Sequence, residues 1–298
     1  MKSQPILEML EPKTVERLLN RRAALKAGGA AALTVGTVPA VLAAMAKTAY
    51  AQGAALPASV IAVLNFALTL EYLEAEFYNI ATGQTALPSQ YTGAVTALGT
   101  ASTPTAVFTE IAKHETAHVR VLQGAITAGG GTPATKPTFD FTGGNGAQTA
   151  GKYTGPFIDV FTNPATFLTL AQAFEDTGVR AYKGGAAALA AAPAILEVGL
   201  QIHSIEARHA AKVRTLRGQK AWVTLGANGM TGAAAAAEPV YNAGSPAATY
   251  PDEDNTTQAG VNVATLAGVA GNAAAAESFD EPLDVNSVLA IAGPFIVG

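Results

Sequence analysis

Glu206 and His209 stand three residues apart in the segment Ile-Glu-Ala-Arg-His-Ala, residues 205–210. Glu115 and His118 repeat this Glu-x-x-His spacing in Lys-His-Glu-Thr-Ala-His, residues 113–118. On a helix, side chains three apart share a face, with Cβ atoms about 5–6 Å from each other. A carboxylate and an imidazole at that separation can hold the same metal ion. One such pair carries little weight; two, each inside its own apolar-periodic segment, carry much more. A second spacing also repeats. Glu71 precedes Tyr78 by seven residues, and Glu175 precedes Tyr182 by seven. Seven residues make almost two turns, so each Glu shares a stripe with its Tyr. The order Glu…Tyr, Glu-x-x-His, Glu…Tyr, Glu-x-x-His reads as a duplicated helix pair with a carboxylate-rich interior.

Four helices must position these groups. The first is expected from Pro57 to about Thr82, with Leu64, Leu68, Glu71, Ala75 and Tyr78 on one stripe and Phe66, Leu70, Leu73, Phe77 and Ile80 on another. A helix apolar on two faces is buried in a bundle. Glu74, one turn beyond Glu71, competes for the same role, and Glu76 reads as solvated. The second helix follows Pro104 and runs to about Ala128, with Ser102 or Thr103 as its cap and Gly129-Gly130-Gly131 as its end. The third starts at Pro164 behind an Asn163 cap and runs to about Ala192; Pro193 opens the fourth, which ends near Arg217. The short link makes the last two antiparallel neighbours. Residues 129–163 are rich in Gly, Thr and Pro, and are long for a bundle connection. A link of that length suits a crossover between the second and third helices.

The flanks differ from the bundle. Residues 1–51 contain Asn20-Arg21-Arg22-Ala23-Ala24-Leu25-Lys26, a weakly apolar run from Ala27 to Ala46, and Ala49-Tyr50-Ala51 before Gln52. This stretch resembles a twin-arginine export signal, with Asn20 and Ala24 departing from the usual Ser/Thr and Phe. It implies the twin-arginine export machinery as a partner and a periplasmic or extracellular location. A membrane anchor results if the segment is retained. Residues 218–298 lose helical periodicity and read as an irregular extension packed on the 52–217 bundle, pinned by Trp222, Tyr241 and Tyr250. The cluster Glu253-Asp254-Asn255 reads as a solvated loop.

Composition narrows the chemistry. The 298 residues carry a net charge of −4, with pI ≈ 5.6 and mean hydropathy +0.26. No basic patch interleaved with aromatics occurs, so nucleic acid is not an expected partner. There is no Cys, which excludes disulfides, thiolate metal sites and Cys nucleophiles. Metal can be held only by Glu, Asp and His. Four carboxylates in a low-dielectric interior repel one another and take up protons, whereas two divalent cations neutralise them. The charge count therefore favours two metal ions, and O/N ligands suit iron or manganese, with zinc also compatible.

The pattern resembles the ferritin-like di-metal carboxylate superfamily, which draws one Glu from each of two helices and Glu-x-x-His from each of the other two. The fold implied is all-α: a ferritin-like four-helix bundle with a long crossover between helices two and three. More narrowly, Leu-Glu-Tyr-Leu-Glu-Ala-Glu-Phe-Tyr at 70–78 and Phe-Asp-Glu-Pro-Leu at 279–283 resemble an exported ferritin-like family that includes the plant desiccation-related proteins. The resemblance implies Glu115 and Glu206 as bridging ligands, with His118, His209, Glu71 and Glu175 as terminal ones. Glu74 stays an alternative to Glu71. Tyr78 and Tyr182 would each hydrogen-bond a ligand carboxylate across the bundle, or else serve as core aromatics. His114 and His203, which do not repeat between the halves, are expected to be exposed or to support ligands. The function implied is redox chemistry on peroxide or O2, as in catalases, peroxidases and ferroxidases. No donor thiol, haem or flavin is evident, which favours peroxide disproportionation. A stress- or desiccation-related structural protein with a stapling metal is the alternative. Homo-oligomerisation is compatible with the sequence.

Overall fold

A computed structural model of the chain describes residues 55–226 and 228–297; the export-signal segment lies outside them. Four long helices dominate: α1 Ala58–Ala81, α2 Thr105–Ala128, α3 Pro164–Leu189 and α4 Pro193–Leu216. Asn163 caps α3, its side chain accepting from the Ala165 N–H at 2.9 Å, with Pro164 in the first turn. The cap expected for α2 does not form. Pro104 occupies that position, without a side-chain hydrogen bond, because Thr103 is bonded back to Thr100 instead (Oγ1 to Oγ1, 2.7 Å). α3 also ends three residues short of Ala192. Residue 192 precedes Pro193 and is pushed out of the helical region, to φ −134°, ψ 79°, so 190–192 make the reversal.

The helix directions follow from the contacts. The Leu56 N–H at the start of α1 donates to Gly129 O at the end of α2, so this pair is antiparallel. Tyr78 meets Glu175 and Glu71 meets Tyr182, a descending match that makes α1 and α3 antiparallel. α2 and α3 therefore run the same way, and residues 129–163 must return along the bundle between them. This is the crossover geometry of ferritin-like bundles. The crossover is pinned by aromatic packing. Phe77 of α1 stacks on Phe167 of α3 with centroids 4.9 Å apart, and Phe141 and Phe161 of the crossover close on the same ring at 5.4 and 5.8 Å.

Residues beyond α4 wrap the bundle as 3-10 turns, two-residue strands and two short helices, α5 Asn272–Ala276 and α6 Val285–Ala292. The last strand, Ile296–Val297, pairs antiparallel with Thr138–Phe139 of the crossover. Two buried arginines of the bundle hold the extension. The Arg180 guanidinium donates to the carbonyls of Val240 (2.7 Å), Asn242 (3.0 Å), Pro251 (2.9 Å) and Glu281 (3.0 Å), and pairs with Glu253 at 2.7 Å. Arg214 grips Asp176 through two hydrogen bonds (2.6 and 3.3 Å), and the Tyr241 hydroxyl donates to the same carboxylate at 2.5 Å. Gly184 lets the extension reach α3: a Cβ there would stand 1.9 Å from Leu283 O.

Three local expectations are corrected. Glu253 is not solvated but buried, because it is the carboxylate that pairs with the fully buried Arg180 among the described residues. Trp222 does not pin the extension: it is 52% exposed and donates to Glu277 on the surface. The buried Tyr241 performs that task. Glu76 is largely covered by its ion pair with Lys136.

Candidate metal centre

The helices bring six side chains to one interior point. Glu71, Glu115, His118 and Glu206 form one group whose donor atoms lie within 4.8 Å of one another. Glu115, Glu175, Glu206 and His209 form a second group of the same kind. Glu115 and Glu206 belong to both. Glu71, Glu115, Glu175 and Glu206 have no solvent exposure, and His118 and His209 have less than a tenth. Each helix delivers its residues by spacing alone. The Glu-x-x-His pairs of α2 and α4 face each other, and the Glu stripes of α1 and α3 close the remaining two sides.

The outer atoms are satisfied. Tyr78 Oη donates to Glu175 Oε1 at 2.5 Å, and Tyr182 Oη donates to Glu71 Oε1. The two halves thus brace each other crosswise. Of the inner atoms, Glu71 Oε2 and Glu115 Oε2 share His118 Nδ1, at 3.2 and 3.0 Å; the others are not satisfied. Glu115 Oε1, Glu175 Oε2, both oxygens of Glu206 and His209 Nδ1 are buried without a hydrogen-bond partner. His209 Nδ1 lies 2.8 Å from Glu115 Oε1 and 3.2 Å from Glu175 Oε2, close to both but bonded to neither. These donor atoms crowd within 4.8 Å of one another without forming hydrogen bonds among themselves. Buried polar groups are otherwise almost always paired, so these orphans are what a set of cation ligands leaves behind. The residues fit a metal.

Electrostatics agree. Burial raises the Glu71 carboxyl to about 7, even against the pull of His118. Burial, with Glu115 and Glu71 as like charges, pushes Glu206 well above the carboxylate range. Burial also raises Glu175. Glu115 moves the other way. Burial opposes its ionisation, but the hydrogen bond with His118 and the close approach of the His209 ring overcome that and hold it at about 2. Both imidazoles are raised despite burial, His118 chiefly by Glu71, and His209 to about 11 chiefly by Glu175. Without an ion, burial drives Glu71, Glu175 and Glu206 toward their protonated forms. Divalent cations would displace those protons and supply the same charge.

Glu74 is in neither group. It is buried one turn from Glu71, on the flank beside Gly178. A Cβ built on Gly178 would stand 3.4 Å from Glu74 Oε1 and 2.9 Å from Glu206 Oε2. Of the two carboxylates offered by α1, Glu71 converges with His118 and Glu74 stands outside. His114 is exposed, yet its ring stacks on His209 with centroids 5.2 Å apart, and its Nδ1 lies 3.0 Å from His209 Nε2. That contact fixes the outward nitrogen of His209 and leaves Nδ1 facing inward. His114→Ala is expected to weaken metal binding about 10–100-fold while leaving the helical circular dichroism intact, as read by competition with a chromogenic chelator. His203, on α4 with His209, is half-buried with an unpartnered Nε2 and belongs to neither donor group.

Sequence reasoning missed the charged frame behind the site: Asp176, Arg180, Arg214 and Glu253. The available signal was the i,i+4 spacing of Asp176 and Arg180 in α3.

Comparison with curated proteins finds no match. The family model described as a ferritin-like domain matches residues 59–219, the stretch that carries all four long helices and both donor groups. With more than half of its length accounted for in this way, the chain belongs to the ferritin-like domain family.

Proposed function

We propose that the chain is an exported di-metal protein that holds two iron or manganese ions and acts on peroxide or O2. Glu115 and Glu206 would bridge the ions. Glu71 with His118, and Glu175 with His209, would complete the two ends. The observation that carries this reading is the set of buried, unpartnered oxygens and nitrogen gathered at one interior point. An O/N donor set without thiolate suits iron and manganese, and a pair of such ions supplies two-electron chemistry toward peroxide or O2 when bound. Export rests on the twin-arginine-like segment at residues 20–26.

The chain's own residues would shape that chemistry. The tyrosine hydroxyls hold the outer oxygens of Glu71 and Glu175, so the inner oxygens keep their aim. Phe77, Phe108 and Phe167 pack against the Tyr78 ring and would hold that tyrosine in place behind Glu175. Peroxide disproportionation balances without an outside donor. One peroxide is cleaved at its O–O bond and takes two electrons and two protons to give two waters. The other gives up two electrons and two protons and leaves as O2. Protein purified after reconstitution with manganese or iron is expected to evolve O2 from peroxide, measured with an oxygen electrode.

Complete burial of the four carboxylates also suits a metal that staples the bundle, as in a stress-related structural protein. In that case the reconstituted protein retains its ions and melts at a higher temperature, but evolves no O2.

A further inference from the structure

The extension does more than cover the bundle. Between it, α1 and α3 lies a cavity of about 170 Å³. Leu73, Leu170 and Phe174 of the bundle form one wall, and Val240, Ile291 and Phe295 of the extension form the other. Ala290 and Pro294, both exposed, stand at its outer rim, while Glu74 and Gly178 line its inner end. Glu74 is the only ionisable side chain in the lining among the described residues. The inner end touches the candidate metal centre, since the position of a Gly178 Cβ is 2.9 Å from Glu206 Oε2 and 3.4 Å from Glu74 Oε1. Gly178 is what keeps this passage narrow but free of a side chain.

We propose that this cavity is a binding site for a small neutral organic molecule, an apolar body of about six to eight non-hydrogen atoms with one polar group set against Glu74. Size and lining carry the assignment. A dry cavity of about 150 Å³ lined by Leu, Ile and Phe binds benzene, and this one is of that size and character. A polar ligand such as a sugar or nucleotide would find few partners along walls of Leu, Phe, Val, Ile, Ala and Pro, where the hydroxyl of Thr177 already donates to Ala173 O at 2.6 Å. A single polar acceptor at the closed end sets an orientation, as in ligand pockets that are apolar apart from a few placed groups. The extension supplies half of the wall, so residues 218–298 gain a role the bundle cannot fill. The position of the bound molecule beside the ions rests on the function proposed above; its binding does not.

The probe is 4-fluorophenol, followed by ¹⁹F NMR on the full chain, metal-free and loaded with Mn(II) or, as a diamagnetic control, Zn(II). The expected result is saturable binding to all three forms, with much broader bound-state lines in the Mn(II) form than in the Zn(II) form. Ala290→Trp, at the exposed rim, and Ala173→Phe, inside, are each expected to weaken binding at least tenfold. Because Ala290 is exposed, its variant tests occlusion even if Ala173→Phe fails to fold. No saturable binding overturns the proposal, as does binding that Ala290→Trp leaves unchanged. Binding blocked by the variants in a chain that retains no metal upholds the cavity and refutes the metal-centre reading instead.

Discussion

Glu115→Gln or Glu206→Gln, each alone, is expected to abolish both metal positions, whereas Glu71→Gln or Glu175→Gln spares one. The reason is connectivity: Glu115 and Glu206 belong to both donor groups, and Glu71 and Glu175 to one each. Elemental analysis after reconstitution and gel filtration reads the difference directly. The two shared residues also differ from each other when no metal is present. Glu206 is pushed well above the carboxylate range by burial and by Glu115, which favours its neutral form, the form that glutamine mimics. Glu206→Gln should leave the metal-free chain about as stable as before. Glu115 is held ionised by His118 and His209, and its loss removes the one carboxylate that both buried imidazoles share, leaving Glu71 beside His118 and Glu175 beside His209. Glu115→Gln should cost the metal-free chain roughly 3 kcal/mol, within the range for breaking a buried charge pair. Equal denaturant midpoints for the two variants would contradict this electrostatic account.

The second large effect lies outside the site. Arg180→Ala is expected to destabilise the chain by about 3–5 kcal/mol and to free the extension for proteolysis. Arg180 is fully buried, and its removal strands Glu253 together with the carbonyls of Val240, Asn242, Pro251 and Glu281. Arg180→Lys should rescue little, because an ammonium offers three donors from one point where the guanidinium offers five in a plane. Limited proteolysis with mass spectrometry locates the cuts, which are expected within residues 218–298. A change below about 1 kcal/mol, the range of exposed pairs, would show that Arg180 does not hold the extension.

Much of the bundle was legible in the sequence because its signals are local. Apolar stripes at helical spacing, Asn163-Pro164 and Pro193 mark α1, α3 and α4 closely. The end of α3 was misplaced because a run of alanines gives no periodic cue; the stop is set by the pre-proline position of Ala192. The convergence of Glu71, Glu115, His118, Glu175, Glu206 and His209 was readable for the same reason. Spacings of three and seven both return to one helix face, and the duplication doubles the signal. The crosswise tyrosines follow once α1 and α3 are antiparallel. What could not be read is long-range pairing without a spacing rule. Arg180 meets Glu253, and Asp176 meets Arg214 and Tyr241, across 38 to 73 positions in the chain. Glu253 sits among Asp, Asn and Thr and has the composition of a surface turn, so its burial is dictated by its partner. The same holds for the cavity, whose far wall comes from a segment with no helical period.

The most direct test of the central claim is metal stoichiometry. The full chain, stripped with chelator, reloaded with Mn(II) or Fe(II) and passed through gel filtration, would be assayed for bound metal by inductively coupled plasma mass spectrometry. Two ions per chain that disappear together in Glu206→Gln are the predicted result. Retention of no metal, or of the same amount in the wild type and in Glu206→Gln, would contradict it.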